Sequence, residues 1–160
     1  MKNLQELFEH ELKDIYSAEK QLTEALPKMR DAATHEKLKQ GFADHLEQTK
    51  KQMERVRTIL DEIDVNPGNT KCDAMEGLIE EGEGIIKEEA PGNVKDAALI
   101  AAAQRVEHYE ISAYGTAVEY AKTLGHDKYA EVLKEILEEE AQCNEHLNDL
   151  AISEINKSAM

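Results

Sequence analysis

Apolar residues recur at helical spacing along nearly all of this 160-residue chain, and only two clusters of turn formers are dense enough to interrupt them. The clusters are Asp64-Val65-Asn66-Pro67-Gly68-Asn69 and Pro91-Gly92-Asn93. Before the first, the periodicity predicts one helix from Leu4 to Arg30 and another from His35 to Ile63, hinged near Ala33-Thr34. Pro27 is expected to weaken or kink the end of the first helix, because it lacks an N–H and crowds the preceding turn. After the second cluster the pattern runs from Val94 to Leu124, breaks at Gly125-His126, and resumes from Asp127 to Ile155. The connection between the clusters holds a shorter apolar-periodic segment with Met75, Leu78, Ile79, Ile85 and Ile86, interrupted by Gly77, Gly82 and Gly84. Short loops make neighbouring helices antiparallel, whereas a connection of about 30 residues can carry the chain the length of a bundle. The expected fold is all-α: an antiparallel four-helix bundle with a long crossover carrying a short fifth helix, in a single domain over residues 1–160.

Charge and composition narrow the partners. A net charge of −15 with no Lys/Arg stripe would repel a polyphosphate, so no nucleic-acid partner is expected. No run of uncharged apolar residues is long enough to span a bilayer, so no membrane partner is expected either. The N-terminal MKNLQELFEHELKD carries acids and has no apolar core of the kind a secretory signal needs. Cys72 and Cys143 lie far apart without a CxxC partner, and reduced, inertly packed thiols in the cytoplasm are the expectation.

The chemistry lies in acids that occupy the apolar faces. At about 100° per residue, the stripe of the third long helix is Leu99, Ile100, Ala103, Ile111, Tyr114, Ala117, Val118, Ala121 and Leu124, and both Glu107 and Glu110 fall inside it. Three residues apart, they are neighbours on one face. Glu140 falls in the stripe of the fourth long helix, with Asn144 one turn on, and Glu19 in that of the first. His45 lies on the stripe of the second, with Gln48 at its edge. Counted from the hinges, Glu19 and Gln48 lie about 15 and 14 residues from Thr34, and Glu110 and Glu140 about 16 and 14 from His126, so the inward polar groups share one level. Buried carboxylates normally protonate or pair, yet the facing stripes contain no Lys or Arg. A divalent cation would neutralise them. Glu19, His45, Glu107, Glu110 and Glu140 are therefore the candidate metal ligands.

The stretches DIYSAEKQL, HLEQTKKQ, KCDAMEGLIEEG, DAALIAAAQRVEHYEISAYGT and ILEEEA resemble the YciF/YciE-like family of bacterial stress proteins over nearly the whole chain. The resemblance implies a ferritin-like, rubrerythrin-related bundle, a homodimer, a role in stress responses, and a site for iron or manganese in mononuclear or dinuclear form. The Glu107-x-x-Glu110 pair is similar to the paired glutamates on the third helix of rubrerythrins. Elsewhere the chain departs from the Glu-x-x-His pattern of di-iron bundles. Gln48 stands where relatives carry Glu, Asn144 where they carry Asp, and Glu140-Ala141-Gln142-Cys143 has no His at its end. Two functions stay open at this level. One is a metal-binding stress protein, with peroxidase or oxidase chemistry among its options and Tyr114 able to hydrogen-bond a ligand carboxylate. The other is a non-enzymatic structural bundle whose site has degenerated.

Overall fold

The computed structural model describes residues 1–160 and places four long helices and a short one as the periodicity predicts. Helix α1 spans Leu4–Ala32, opened by Asn3, whose side-chain oxygen accepts the Glu6 N–H at 2.8 Å. It passes through Pro27 and continues to Ala32. Helix α2 spans Glu36–Glu62, α3 Asp73–Lys87, α4 Gly92–Thr123 and α5 Asp127–Leu150. The last expected helix does not stay α-helical to Ile155. Residues Ala151–Ile155 form a π-helical turn, followed by the three-residue α6, Asn156–Ser158. In an ideal helix the row Leu147, Ala151, Ile155 drifts by about 80° around the axis. The wider turn takes back part of that drift and keeps Ile155 buried.

Two helix ends use the same left-handed cap. At the end of α4, Gly125 adopts φ +78° while His126 N–H reaches Ala121 O at 2.8 Å and Gly125 N–H reaches Lys122 O at 3.0 Å. At the end of α2 the left-handed residue is Asp64, φ +57°, with Val65 N–H on Leu60 O at 2.8 Å. Both caps fall where the sequence carries its turn formers.

Contacts between the ends fix the directions. Gln5 at the start of α1 meets His126 beyond the end of α4 (3.0 Å), and Thr34 beyond the end of α1 meets Asp96 at the start of α4. Lys128 at the start of α5 pairs with Glu62 at the end of α2, and Lys37 near the start of α2 pairs with Glu154 past the end of α5. Each long helix thus runs antiparallel to both neighbours, and the diagonal pair α2 and α4 runs parallel. That is the ferritin-like connectivity, and the long crossover is what it requires. Helix α3 rides on this crossover and packs on α1 and α4 through Met75, Leu78, Ile79, Ile85 and Ile86. The crossover is tied to α1 where the Cys72 N–H donates to Ser17 Oγ (3.0 Å) and Gln21 Nε2 donates to the Cys72 carbonyl (3.1 Å).

Packing divides the interior in two. One apolar cluster contains Leu22, Leu26, Leu38, Phe42, Leu99, Ile100, Leu147 and Leu150, and lies towards the α1–α2 hinge. The other contains Phe8, Leu12, Ile15, Val56, Leu60, Tyr114, Leu133 and Ile136, and lies towards the α4–α5 hinge. Between them, on all four long helices, sit the buried polar residues Glu19, His45, Thr49, Gln52, Glu107, Glu110 and Glu140.

Candidate metal centre in the bundle core

Each polar residue of this layer shares its helix face with apolar residues a turn or two away, such as Phe42 and Leu38 before His45 and Ile136 and Leu133 before Glu140, so the stripe that buries them buries it too. Glu19, Glu107 and Glu140 are 0% exposed, Glu110 2% and His45 4%, so all five sequence-predicted candidates are inside. Four of them converge. His45, Glu107, Glu110 and Glu140 each present a ligand atom within 4.8 Å of those of the other three. His45 Nδ1 lies 3.3 Å from Glu107 Oε1, and His45 Nε2 lies 3.8 Å from Glu140 Oε2. Glu19 is not one of this mutually close set. It stands beside the four and accepts a hydrogen bond from Tyr114, which is itself fully buried.

Burial governs the protonation of the group. It pushes the Glu107, Glu110 and Glu19 carboxyls well above the ordinary carboxylate range, and the neighbouring Glu140 charge adds to the effect in all three. Glu140 is raised by burial to about 7, held back by hydrogen bonds from Glu107 and Gln52. Burial lowers His45 to about 4, so its imidazole is neutral at pH 7 and its approaches to Glu107 and Glu140 are not ion pairs.

The hydrogen-bond inventory is one-sided. Besides the Thr49 hydroxyl, the buried atoms of the layer without a partner outside the cluster are Glu19 Oε2, His45 Nε2, Gln52 Oε1, Glu107 Oε2, both oxygens of Glu110 and Glu140 Oε2. Buried polar atoms of natural proteins are nearly always satisfied, and each that is not costs about 1–3 kcal/mol. All seven of these atoms carry lone pairs suited to a cation. The donor set, carboxylates with one neutral imidazole, fits iron or manganese.

Three members of the layer escape the sequence reading of the site. Gln52 is fully buried and donates to both Glu139 (2.9 Å) and Glu140. It lies seven residues after His45, on the same face, so the helical projection contains it. Thr49 lies on the same row. Cys143, expected to pack inertly, donates its S–H to Glu107 Oε1 at 3.2 Å. Gln48 and Asn144, by contrast, are half-buried outside the set of four, and Asn144 Oδ1 accepts from Gln104 at 3.3 Å. Glu139, at the margin of its stripe, pairs with Arg55.

Fold and core together define a ferritin-like four-helix-bundle protein with a carboxylate–imidazole cluster at mid-height. The chain belongs to the family described as "Domain of unknown function (DUF892)", whose model matches residues 3–160. It is 51% identical over 160 residues to Protein YciF of Escherichia coli (strain K12), covering 99% of this chain and 96% of that one. The crystal structure of the E. coli stress protein YciF superposes with a TM-score of 0.94, covering 98% of this chain and 99% of that chain. YcfI from Rhodopseudomonas palustris, described as a candidate structural protein, is 44% identical with a TM-score of 0.89, over 92% of this chain and 94% of its own. A protein from Xanthomonas campestris pv. campestris, 20% identical with a TM-score of 0.74, covers 92% of this chain and 90% of its own and shares the fold.

Proposed function

We propose that the polar layer is a divalent-metal centre holding iron or manganese, and that the chain is a metal-dependent stress protein of the cytoplasm. The observation that carries the reading is one buried layer without a Lys or Arg inside it, holding seven ligand atoms that lack partners outside the cluster, in which His45, Glu107, Glu110 and Glu140 converge. His45, Glu107, Glu110 and Glu140 would hold the ion, with Glu19 beside them for a second one. A redox-active metal supplies electron transfer to peroxide, the chemistry that suits a protein similar to one described as a stress protein. The chain's own residues prepare the site. The Tyr114 hydroxyl fixes the Glu19 carboxylate, Gln52 fixes Glu140, and the apolar clusters above and below exclude water. A homodimer belongs to the same proposal. It is supported by the family resemblance. Sedimentation at micromolar concentration tests it, and a purely monomeric profile would overturn it.

The metal proposal is tested by elemental analysis of protein purified without chelator, followed by titration of the stripped protein with Fe(II) and Mn(II). Saturable binding that is lost in Glu107→Gln/Glu110→Gln is the expected outcome, with peroxide consumption measured on the iron form. A protein that stays metal-free and unresponsive favours the second reading, a structural bundle, which the description of the R. palustris relative supports.

A further inference from the structure

Carboxylate centres in helix bundles pair a Glu with a His three residues further along the same helix. In α5 the Glu is Glu140, and the residue three positions on is Cys143. The substitution is not idle. Cys143 Sγ lies 3.2 Å from Glu107 Oε1, and His45 Nδ1 lies 3.3 Å from the same oxygen. Cys143, His45 and Glu107 together form a second group whose ligand atoms lie within 4.8 Å of one another, sharing His45 and Glu107 with the oxygen-rich set. In a tetrahedral site with metal–ligand bonds of about 2.0–2.3 Å, neighbouring ligand atoms stand about 3.3–3.6 Å apart. Both measured separations are close to that range. Two atoms of the shared pair, Glu107 Oε2 and His45 Nε2, are buried without partners outside the cluster.

We propose that Cys143 is a metal ligand, replacing the fourth-helix histidine, and that with His45 and Glu107 it makes a thiolate–imidazole–carboxylate site selective for thiophilic divalent cations. The assignment rests on the polar layer being a metal centre. A thiolate shifts preference towards Zn2+, Co2+ and Fe2+ and away from Mn2+, which favours all-oxygen sets. Three protein ligands leave one tetrahedral position open to a small exogenous ligand, and Cys143 itself is half-buried. Without a cation the thiol stays protonated, because burial and the nearby Glu107 carboxylate both oppose thiolate formation. A bound cation reverses that preference. On binding, the S–H bond breaks, its proton leaves to solvent, and Sγ gives its electron pair to the metal. No oxidation state changes.

Cobalt(II) titration of the stripped full-length chain tests this, because cobalt reports its ligands by colour. The wild-type protein should develop visible ligand-field bands together with a near-ultraviolet sulfur-to-cobalt charge-transfer band. Cys143→Ser should lose the charge-transfer band, and its Zn2+ affinity should fall by at least about 100-fold, the upper end of what loss of a supporting partner costs. Cys143→His should keep the visible bands without the sulfur band, and Cys72→Ser should match the wild type. Visible bands with no sulfur band in the wild type would overturn the assignment of Cys143 while leaving the metal centre standing. No spectral change in any form, with no Zn2+ uptake, would overturn both.

Discussion

Both oxygens of Glu110 are buried and neither has a partner outside the acidic cluster, where Glu140 is its hydrogen-bonding neighbour. Replacing Glu110 by methionine, similar in length and apolar, should stabilise chelator-treated protein by about 1–3 kcal/mol in urea unfolding while weakening metal uptake. A loss of apo stability would show that the carboxylate is satisfied in some other way. The same four raised carboxyls set the pH response. A carboxyl whose pKa is higher in the folded state stabilises the fold fully below its unfolded value, near 4.5, and loses that contribution as pH rises through the folded value, about 7 for Glu140. His45, lowered to about 4, has the opposite slope: its contribution is present above about 6.5 and is lost as pH falls through 4. Four carboxyls outweigh one imidazole. The melting temperature of the apo protein should therefore fall between about pH 5 and 7, and a saturating divalent ion should flatten the curve because it takes the place of the protons. The sequence showed these ionisable residues because acids inside an apolar stripe stand out against their neighbours. Cys143 did not stand out, since a cysteine suits a core in its own right. Gln52 could have been found by extending the His45 row two turns.

At the level of elements, the turn between α1 and α2 is held by a residue from another hairpin. The buried Asp96 carboxylate accepts the Thr34 N–H (2.8 Å), the Thr34 hydroxyl (2.6 Å) and the His35 N–H (2.9 Å). One turn earlier, Gly92 lies so close that an added Cβ would sit 2.8 Å from Thr34 Cγ2. Loss of these charge-assisted bonds in Asp96→Ala should cost about 3 kcal/mol. Gly92→Ala should cost about 1–3 kcal/mol through overpacking, and Thr34→Ser should relieve only part of that clash, because removing the methyl group leaves the hydroxyl oxygen, held by Asp96, 2.9 Å from the added Cβ. An equal cost for Gly92→Ala in the parent chain and in the Thr34→Ser background would place the strain elsewhere. No sequence pattern could disclose this joint. The residues lie about 60 positions apart, and an acid in the first turns of a helix is ordinary in its own right. Helix bounds, by contrast, were legible to within a few residues, because turn formers and left-handed caps coincide at Asp64 and Gly125. The π-helical turn at Ala151–Ile155 was not, because the drift it corrects is a property of packing rather than of propensity.

Across the whole molecule, the two apolar clusters are alike in composition and each is content with any neighbouring helix turned the right way. Leucines set rotation but are poor judges of height, since a helix moved by a heptad presents nearly the same face. Apart from the Asp96 joint at one end, the polar layer is the part of the interior that cares about height. Inserting seven residues into α5 between the hinge and Glu140 would keep its stripe in phase yet carry Glu140 about 10.5 Å out of plane. That variant should fold helically and fail to bind metal. Adding a second seven-residue insert to α4 between Glu110 and the hinge should bring the ligands level again and restore binding. If the single insertion bound metal normally, Glu140 would have no part in the centre. The layer is thus a vernier as well as a site: it reads the relative lengths of four arms, and only chains whose arms agree can close it.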